Sequence, residues 1–129
     1  MDCLVNLLGT KYDQTRSFLE RYKDQKIIWF LEACDLNPFS LRRAFWQLKE
    51  AGWFENARAF LLGRPAHFGE EVFCFTMDEA AAGILEPFGV PLLSDLDIGH
   101  LPPQMPLVSG GYGTVKKAGE DMEIEFILR

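Results

Sequence analysis

Lys26-Ile-Ile-Trp-Phe-Leu-Glu32 is the stretch that decides the fold of this chain. Its five central residues are all aliphatic or aromatic, and a charged side chain lies at each end. A short apolar run of this kind is typical of a strand buried on both faces of a sheet, as in parallel sheets covered by helices. The stretch therefore predicts a central strand over residues 27–31.

The residues that follow predict a helix packed against this strand. Asn37-Pro38 marks the first turn of the helix and Gly52 marks its end. Between these points the apolar residues recur at the i, i+3, i+4, i+7 spacing of one helix face, at Leu41, Ala44, Phe45 and Leu48.

The rest of the chain predicts alternating strands and helices. Strands are predicted over residues 58–62, 71–75 and 90–93, and a short helix or an ordered loop over residues 13–23. Thr76 and Glu79 predict a capping box at the start of a second long helix that Gly89 ends. Residues 114–117 and 122–128 predict a hairpin with one solvated face. This order predicts an α/β fold with at least one parallel β-α-β unit.

Composition restricts the class of partner. The 129 residues, 48% of them hydrophobic, are enough for one domain with its own core. The net charge of -6 argues against nucleic acid or an anionic membrane as a partner, because phosphate binding needs a basic surface. We find no leader-like segment and no apolar run of membrane-spanning length. The sequence predicts a cytoplasmic chain.

Cysteine and tryptophan positions predict core residues. The three cysteines are odd in number, widely separated and without a CxxC pair, which is typical of reduced core thiols and not of a zinc site: Cys3, Cys34 and Cys74. The tryptophans are also expected to line the core: Trp29, Trp46 and Trp53.

Two residues carry the chemistry that the sequence predicts. Glu32 directly follows the strand at residues 27–31, and His100 follows Gly99 just ahead of Leu101-Pro-Pro-Gln-Met-Pro106. Glycine permits the turn and the prolines fix φ, so the imidazole is held by a rigid loop. Side chains at the carboxyl ends of parallel strands gather at one edge of a sheet. If these two strand ends meet, Glu32 can orient His100 as a general base.

Other residues offer alternative sites. Asp95, Asp97 and His100 form a D-x-D-x-x-H array that could ligate a divalent metal, but without further ligands the array is unspecific, and no metal is expected. His67 is predicted to be an exposed turn histidine because no strand-end acid adjoins it in sequence. Gly110-Gly-Tyr-Gly113 is predicted to be a flexible turn and not a phosphate site, since no helix signal follows.

Four segments together resemble a known family. They are Cys3-Leu-Val-Asn-Leu-Leu-Gly-Thr10, Ile27-Ile-Trp-Phe-Leu-Glu32, Ala57-Arg-Ala-Phe-Leu-Leu-Gly-Arg-Pro65 and Ser94-Asp-Leu-Asp-Ile-Gly-His-Leu-Pro-Pro-Gln-Met-Pro-Leu107. In this order they resemble the carboxy-terminal half of the LD-carboxypeptidases, a family that also contains the microcin C immunity peptidases. The strand ending in Glu32 and the Gly99-His100 loop are the most specific parts.

The resemblance implies a fold, an activity and partners. It implies a three-layer swivelling β/β/α domain and a cytoplasmic serine peptidase that removes a terminal D-amino acid, typically D-alanine from a murein tetrapeptide during cell-wall recycling. In the immunity branch the substrate is instead a peptidyl-nucleotide. By the resemblance Glu32 is the triad acid and His100 the triad base, with no metal or cofactor, and a homodimer is implied.

The family's nucleophile has no counterpart among these residues. It is a serine on a strand-turn-helix elbow of a separate amino-terminal domain, and the serines here are better explained as caps or turn residues: Ser17, Ser40, Ser94 and Ser109. Residues 1–129 are thus expected to be a single domain that lacks its amino-terminal partner domain and is inactive alone. Two other hypotheses stay open, a non-catalytic ligand-binding module and a metal hydrolase at the D-x-D-x-x-H array.

Overall fold

The structure is a computed structural model that describes residues 1–67, 69 and 71–127. Its elements, in chain order, are a 3-10 turn at Val5–Leu7, α1 (Thr15–Arg21), β1 (Ile27–Leu31), α2 (Pro38–Glu50), β2 (Ala57–Arg64), α3 (Met77–Leu85), a 3-10 turn at Glu86–Phe88, β3 (Leu92–Gly99), β4 (Tyr112–Ala118) and β5 (Asp121–Ile127).

A parallel sheet of three strands forms the centre of the molecule, in the order β1-β2-β3. Helix α2 connects β1 to β2, and α3 connects β2 to β3, so the chain contains two consecutive parallel β-α-β units. Strands β4 and β5 form a separate antiparallel hairpin. The predicted α/β class, the parallel units and the terminal hairpin are confirmed; Leu128, the last residue of the predicted hairpin, lies outside the described residues.

Both long helices begin where their capping residues predict. The Asn37 side chain accepts a hydrogen bond from the Ser40 backbone N–H at 2.9 Å, and Pro38 occupies the first turn of α2. At α3, Thr76 and Glu79 exchange the two hydrogen bonds of a capping box. These side chains satisfy N–H groups that have no partner within the helix, which fixes where each helix starts.

The sheet lies between two layers. On one face, the apolar residues of α2 and α3 pack with Leu31 and Phe60 in the main core. On the other face, Leu61, Leu96 and Ile98 form a second cluster that the hairpin covers with partly buried side chains such as Ile124. Successive residues of a strand point to opposite faces, so the apolar strands serve both layers. The order hairpin, sheet, helices is the β/β/α arrangement implied by the resemblance.

Two strand predictions differ from the structure. The predicted strand over residues 71–75 is wrong: Val72 and Phe75 close a tight turn, and Phe73 and Cys74 adopt φ of 55° and 58°. Because β2 is already paired with β1 on one edge and β3 on the other, it offers no free edge to residues 71–75. The segment pairs only within itself. The strand predicted over residues 90–93 begins at Leu92 and continues to Gly99, because Leu96 and Ile98 keep packing under the hairpin.

The cysteine and tryptophan predictions are partly wrong. All three cysteines are free thiols, but Cys3 and Cys74 are exposed and Cys34 is half-buried. Trp53 is buried and stacks on Trp29, as expected for core residues. Trp46 is 54% exposed because it lies on the solvent face of α2. Within the described ranges, no helix has the length and apolar character needed to cross a membrane.

Candidate active site

Glu32 lies directly after β1, at the carboxyl end of the sheet, and is half-buried. The backbone that follows it is held by Asp2, whose carboxylate accepts hydrogen bonds from the Cys34 N–H at 2.9 Å and the Asp35 N–H at 3.0 Å. Burial acts to raise the pKa of the Asp2 carboxyl, but these hydrogen bonds outweigh it, and the net pKa lies below its usual range. An ionised Asp2 therefore holds the turn that begins at Glu32.

His100 lies directly after β3, and its backbone is tied to the end of β2. Its N–H donates to the Arg64 carbonyl oxygen at 3.1 Å. The residue before it, Gly99, has φ of +113°, and a Cβ there would lie 2.6 Å from the same Arg64 oxygen. Only glycine fits this position without displacing the strand end, which is the local reason why a Gly-His pair occurs here.

The structure brings Glu32 and His100 together. The imidazole Nδ1 lies 2.5 Å from Glu32 Oε2, although 68 positions separate the two residues. Their strands are not neighbours, because β2 lies between β1 and β3. The histidine side chain therefore reaches across the end of β2 to the carboxylate.

This contact sets what the imidazole can do. With Nδ1 engaged by a carboxylate, Nε2 is the ring nitrogen available for proton transfer, and the carboxylate stabilises the imidazolium that such a transfer creates. The side chains are 43% and 37% exposed, for His100 and Glu32 respectively, so a substrate or another protein group can approach the pair from solvent.

The loop after His100 is fixed by hydrogen bonds and packing. The Gln104 side-chain amide donates to the Gly99 carbonyl oxygen. The Met105 N–H donates to the backbone carbonyl oxygen of Asp97 at 2.6 Å. Met105 and Leu107 then pack against the cluster under the hairpin. The rigid presentation predicted from the prolines is thus reinforced by contacts that the sequence does not reveal.

Arg64 occupies the position where the sequence suggested a metal. Its guanidinium donates to the Asp97 carboxylate and lies 3.9 Å from Asp95. Over the ranges that the structure describes, no three His, Cys, Asp or Glu side chains are grouped closely enough to hold a metal ion. The two aspartates of the D-x-D-x-x-H array therefore pair with Arg64 in this structure, and its histidine pairs with Glu32. Sequence reasoning missed Arg64, whose one signal is its place between a strand and Pro65.

His67 has an acidic partner that the sequence did not suggest. Its Nε2 lies 3.1 Å from Asp35 Oδ1, and the two side chains are 47% and 85% exposed. His67 follows β2 and Asp35 follows β1, so this second pair lies at the same edge of the sheet as Glu32. The predicted exposed turn is confirmed, and the partner comes from another loop.

None of the serines is placed as a nucleophile beside His100. Ser17 lies in α1, Ser94 in β3, and Ser40 in the first turn of α2, where its hydroxyl accepts a hydrogen bond from Arg43 at 3.0 Å. Ser109 lies in the loop before β4. Across residues 1–67, 69 and 71–127, no serine hydroxyl hydrogen-bonds to His100.

Cys34, two residues after Glu32, is a poor thiolate nucleophile. Desolvation raises the pKa of its thiol, and the carboxylates of Asp2, Asp35 and Glu32 raise it further because they oppose a new negative charge. The thiolate is the reactive form of cysteine, so this environment suppresses its reactivity.

A small cleft of about 30 Å³ opens beside Glu32. Its walls are apolar side chains of α2 and α3, including Phe45 and Met77, and its polar groups include Ser94 and Asp95. The site thus combines an acid-base pair at the sheet edge with a small, largely apolar cleft beside the acid.

Comparisons with protein families and solved structures identify the family of this domain. The family model described as the LD-carboxypeptidase C-terminal domain matches residues 1–115. The crystal structure of muramoyltetrapeptide carboxypeptidase from Oxalobacter formigenes is similar to this fold, with a TM-score of 0.67 and 19% identity over 78% of the present chain. The chain spans 35% of the length of that enzyme. No curated protein sequence matches. The chain belongs to the LD-carboxypeptidase C-terminal domain family.

Proposed function

We propose that this chain is the carboxy-terminal domain of a serine L,D-carboxypeptidase and supplies the acid and the base of a Ser-Glu-His triad. The observation that carries the proposal is the 2.5 Å contact between Glu32 and His100 at the carboxyl end of the parallel sheet. A carboxylate bonded to Nδ1 of a half-exposed imidazole is the arrangement that activates a hydroxyl nucleophile. Membership of the family supports a peptidase.

In the proposed reaction, the nucleophilic serine comes from an amino-terminal domain outside these 129 residues. His100 Nε2 accepts the serine proton as the oxygen attacks the peptide carbonyl carbon, and Glu32 stabilises the imidazolium. The tetrahedral intermediate then collapses, the C–N bond breaks, and His100 returns the proton to the leaving amine. Water, activated by the same imidazole, hydrolyses the acyl-enzyme and regenerates the serine.

The proposed substrate is a murein-derived tetrapeptide that loses its terminal D-alanine. The name of the similar solved enzyme, a muramoyltetrapeptide carboxypeptidase, supports this substrate class. A peptidyl-nucleotide of the microcin C type is the other substrate that the family offers. A cytoplasmic location and a homodimer remain predictions.

The test is peptide hydrolysis by the chain joined to a serine-bearing amino-terminal domain of the family. Mass spectrometry should show loss of D-alanine from an L,D-tetrapeptide, with no loss of rate when a chelator is added, and no turnover by residues 1–129 alone. Activity that a chelator removes would favour a metal hydrolase. Ligand binding without turnover in the joined protein would favour a binding module, and cleavage of a peptidyl-nucleotide alone would favour the immunity branch.

A further inference from the structure

Arg64 contacts the His100 loop on both sides of the histidine. Its Nη2 donates to the Asp97 carboxylate, three positions before His100, and to the Pro103 carbonyl oxygen at 3.1 Å, three positions after it. The Arg64 backbone oxygen accepts the His100 N–H. One residue of β2 therefore holds the loop before, at and after the imidazole.

The burial of Arg64 makes this arrangement energetically unfavourable at one atom. The Arg64 side chain is only 17% exposed. Its Nε is buried and has no hydrogen-bond partner among the residues that the structure describes. An unsatisfied buried donor is unfavourable, and such groups in native structures call for an explanation. A planar guanidinium can serve two acceptors from one nitrogen in a fixed geometry, which an aliphatic side chain cannot do.

The geometry also explains how His100 reaches Glu32 across the end of β2. Gly99 pairs with Arg64 in the sheet register, so the last residue of β3 and the last residue of β2 lie side by side. From there the imidazole extends to the end of β1. Gln104 and Met105 close the loop onto the backbone of β3, and Arg64 ties the closed loop to β2. A small rotation of the loop against β2 would move the ring away from the carboxylate.

We propose that Arg64 is a positioning residue: it clamps the His100 loop through Asp97 and Pro103 so that the imidazole stays bonded to Glu32. The clamp itself is a property of this chain. Only its consequence for catalysis depends on the proposed function.

The clamp is tested by NMR on the ¹⁵N-labelled chain, using Arg64→Met, Arg64→Lys and Asp97→Ala. The control is Arg58→Met, which removes the same charge from an exposed position in the same strand. In Arg64→Met, exchange of the His100 amide should accelerate on the order of tenfold, because a charge-assisted hydrogen bond is lost. Its backbone order parameter should fall from about 0.85 toward about 0.6. Arg58→Met should match the wild type.

The other variants keep the test decisive if Arg64→Met does not fold. Arg64→Lys should give an intermediate exchange rate, because an ammonium group can keep the ion pair but not both contacts. Asp97→Ala should also accelerate exchange of the His100 amide. In the Arg64→Met/Asp97→Ala double variant the change in the free energy of exchange should be smaller than the sum of the two single changes. If the folded Arg64 and Asp97 variants exchange the His100 amide at the same rate as Arg58→Met, the clamp is overturned.

The catalytic consequence is tested in the joined, serine-bearing protein. Arg64→Met should lower kcat on the order of 100-fold with KM close to the wild type, because the base is misplaced while the groups that bind substrate are unchanged. If NMR shows that the loop of a variant is loosened and its kcat is nevertheless unchanged, the positioning role of Arg64 is overturned. If the wild-type protein has no activity, the proposed function fails, and the NMR result still decides whether the clamp exists.

Discussion

Gly63 and Ile98 approach so closely that a Cβ on Gly63 would lie 2.0 Å from the Ile98 carbonyl oxygen. The contact joins β2 to β3 just before Arg64 and His100, so the spacing of these two strands sets the spacing of the site. Gly63→Ala must push the strands apart. We expect a loss of about 3 kcal/mol in the free energy of unfolding, at the upper end of over-packing costs.

Urea unfolding measures the effect of Gly63→Ala. The control is Gly113→Ala in β4, where the added Cβ would meet only ordinary contacts of 3.5 Å and more. Equal stability of the two variants would show that the close approach of β2 and β3 is not required.

The capping box of α3 gives a second prediction. Thr76→Ala removes the side chain that accepts the Glu79 N–H, and it should lower the free energy of unfolding by about 1 kcal/mol. Thr76→Ser keeps the hydroxyl and should stay close to the wild type. The measurement is chemical denaturation monitored by circular dichroism, and a serine variant as unstable as the alanine variant would refute the role of the cap.

Asp2 gives a prediction for acid stability. Because hydrogen bonds from the 34–35 backbone lower the pKa of Asp2 in the folded state, its contribution to stability is present above its unfolded value of 3.8 and is lost as pH falls through the lower folded value. Asp2→Asn should therefore weaken the dependence of Tm on pH in the acid range below about pH 4.

The exposed Asp24 supplies the control for this acid titration. Asp24→Asn removes the same charge from an exposed position and so reports the effect of the charge change alone. A wild-type slope in Asp2→Asn would mean that the Asp2 carboxylate does not hold the turn after Glu32.

Thiol labelling gives a fourth prediction. Because desolvation and three nearby carboxylates raise the pKa of Cys34, iodoacetamide should modify it more slowly than the exposed Cys3 and Cys74. Asp35→Asn removes one of those carboxylates and should speed labelling of Cys34 alone. Peptide mass spectrometry measures all three rates, and fastest labelling at Cys34 would contradict this account of its environment.

Local signals allowed much of the fold to be predicted. The apolar run at residues 27–31, the Asn37-Pro38 start of α2 and the Thr76/Glu79 box each act within a few residues, so the sequence alone locates β1, α2 and α3. The strand predicted over residues 71–75 failed because Val72 and Phe75 close a tight turn that leaves Phe73 exposed, and positive φ at Phe73 and Cys74 carries no glycine signal.

The site was less predictable because it depends on strand order. Glu32 and His100 could be chosen as strand-end residues, but the sequence does not show that β2 lies between their strands. The end of β3 was also placed too early, since Ser94, Asp95 and Asp97 read as a polar loop until the Arg64 contacts are known. Long-range ion pairs of this kind have no local pattern.

The central claim is that His100, oriented by Glu32, is the base of the reaction, and kcat for D-alanine release by the joined, serine-bearing protein tests it most directly. The chain has two histidines, so His67→Ala is a matched control. We expect His100→Ala and Glu32→Gln to lower kcat by about 10⁴-fold, as loss of a triad base or its orienting acid does, and His67→Ala to stay near the wild type. Wild-type kcat in His100→Ala, or an equal loss in His67→Ala, would contradict the claim.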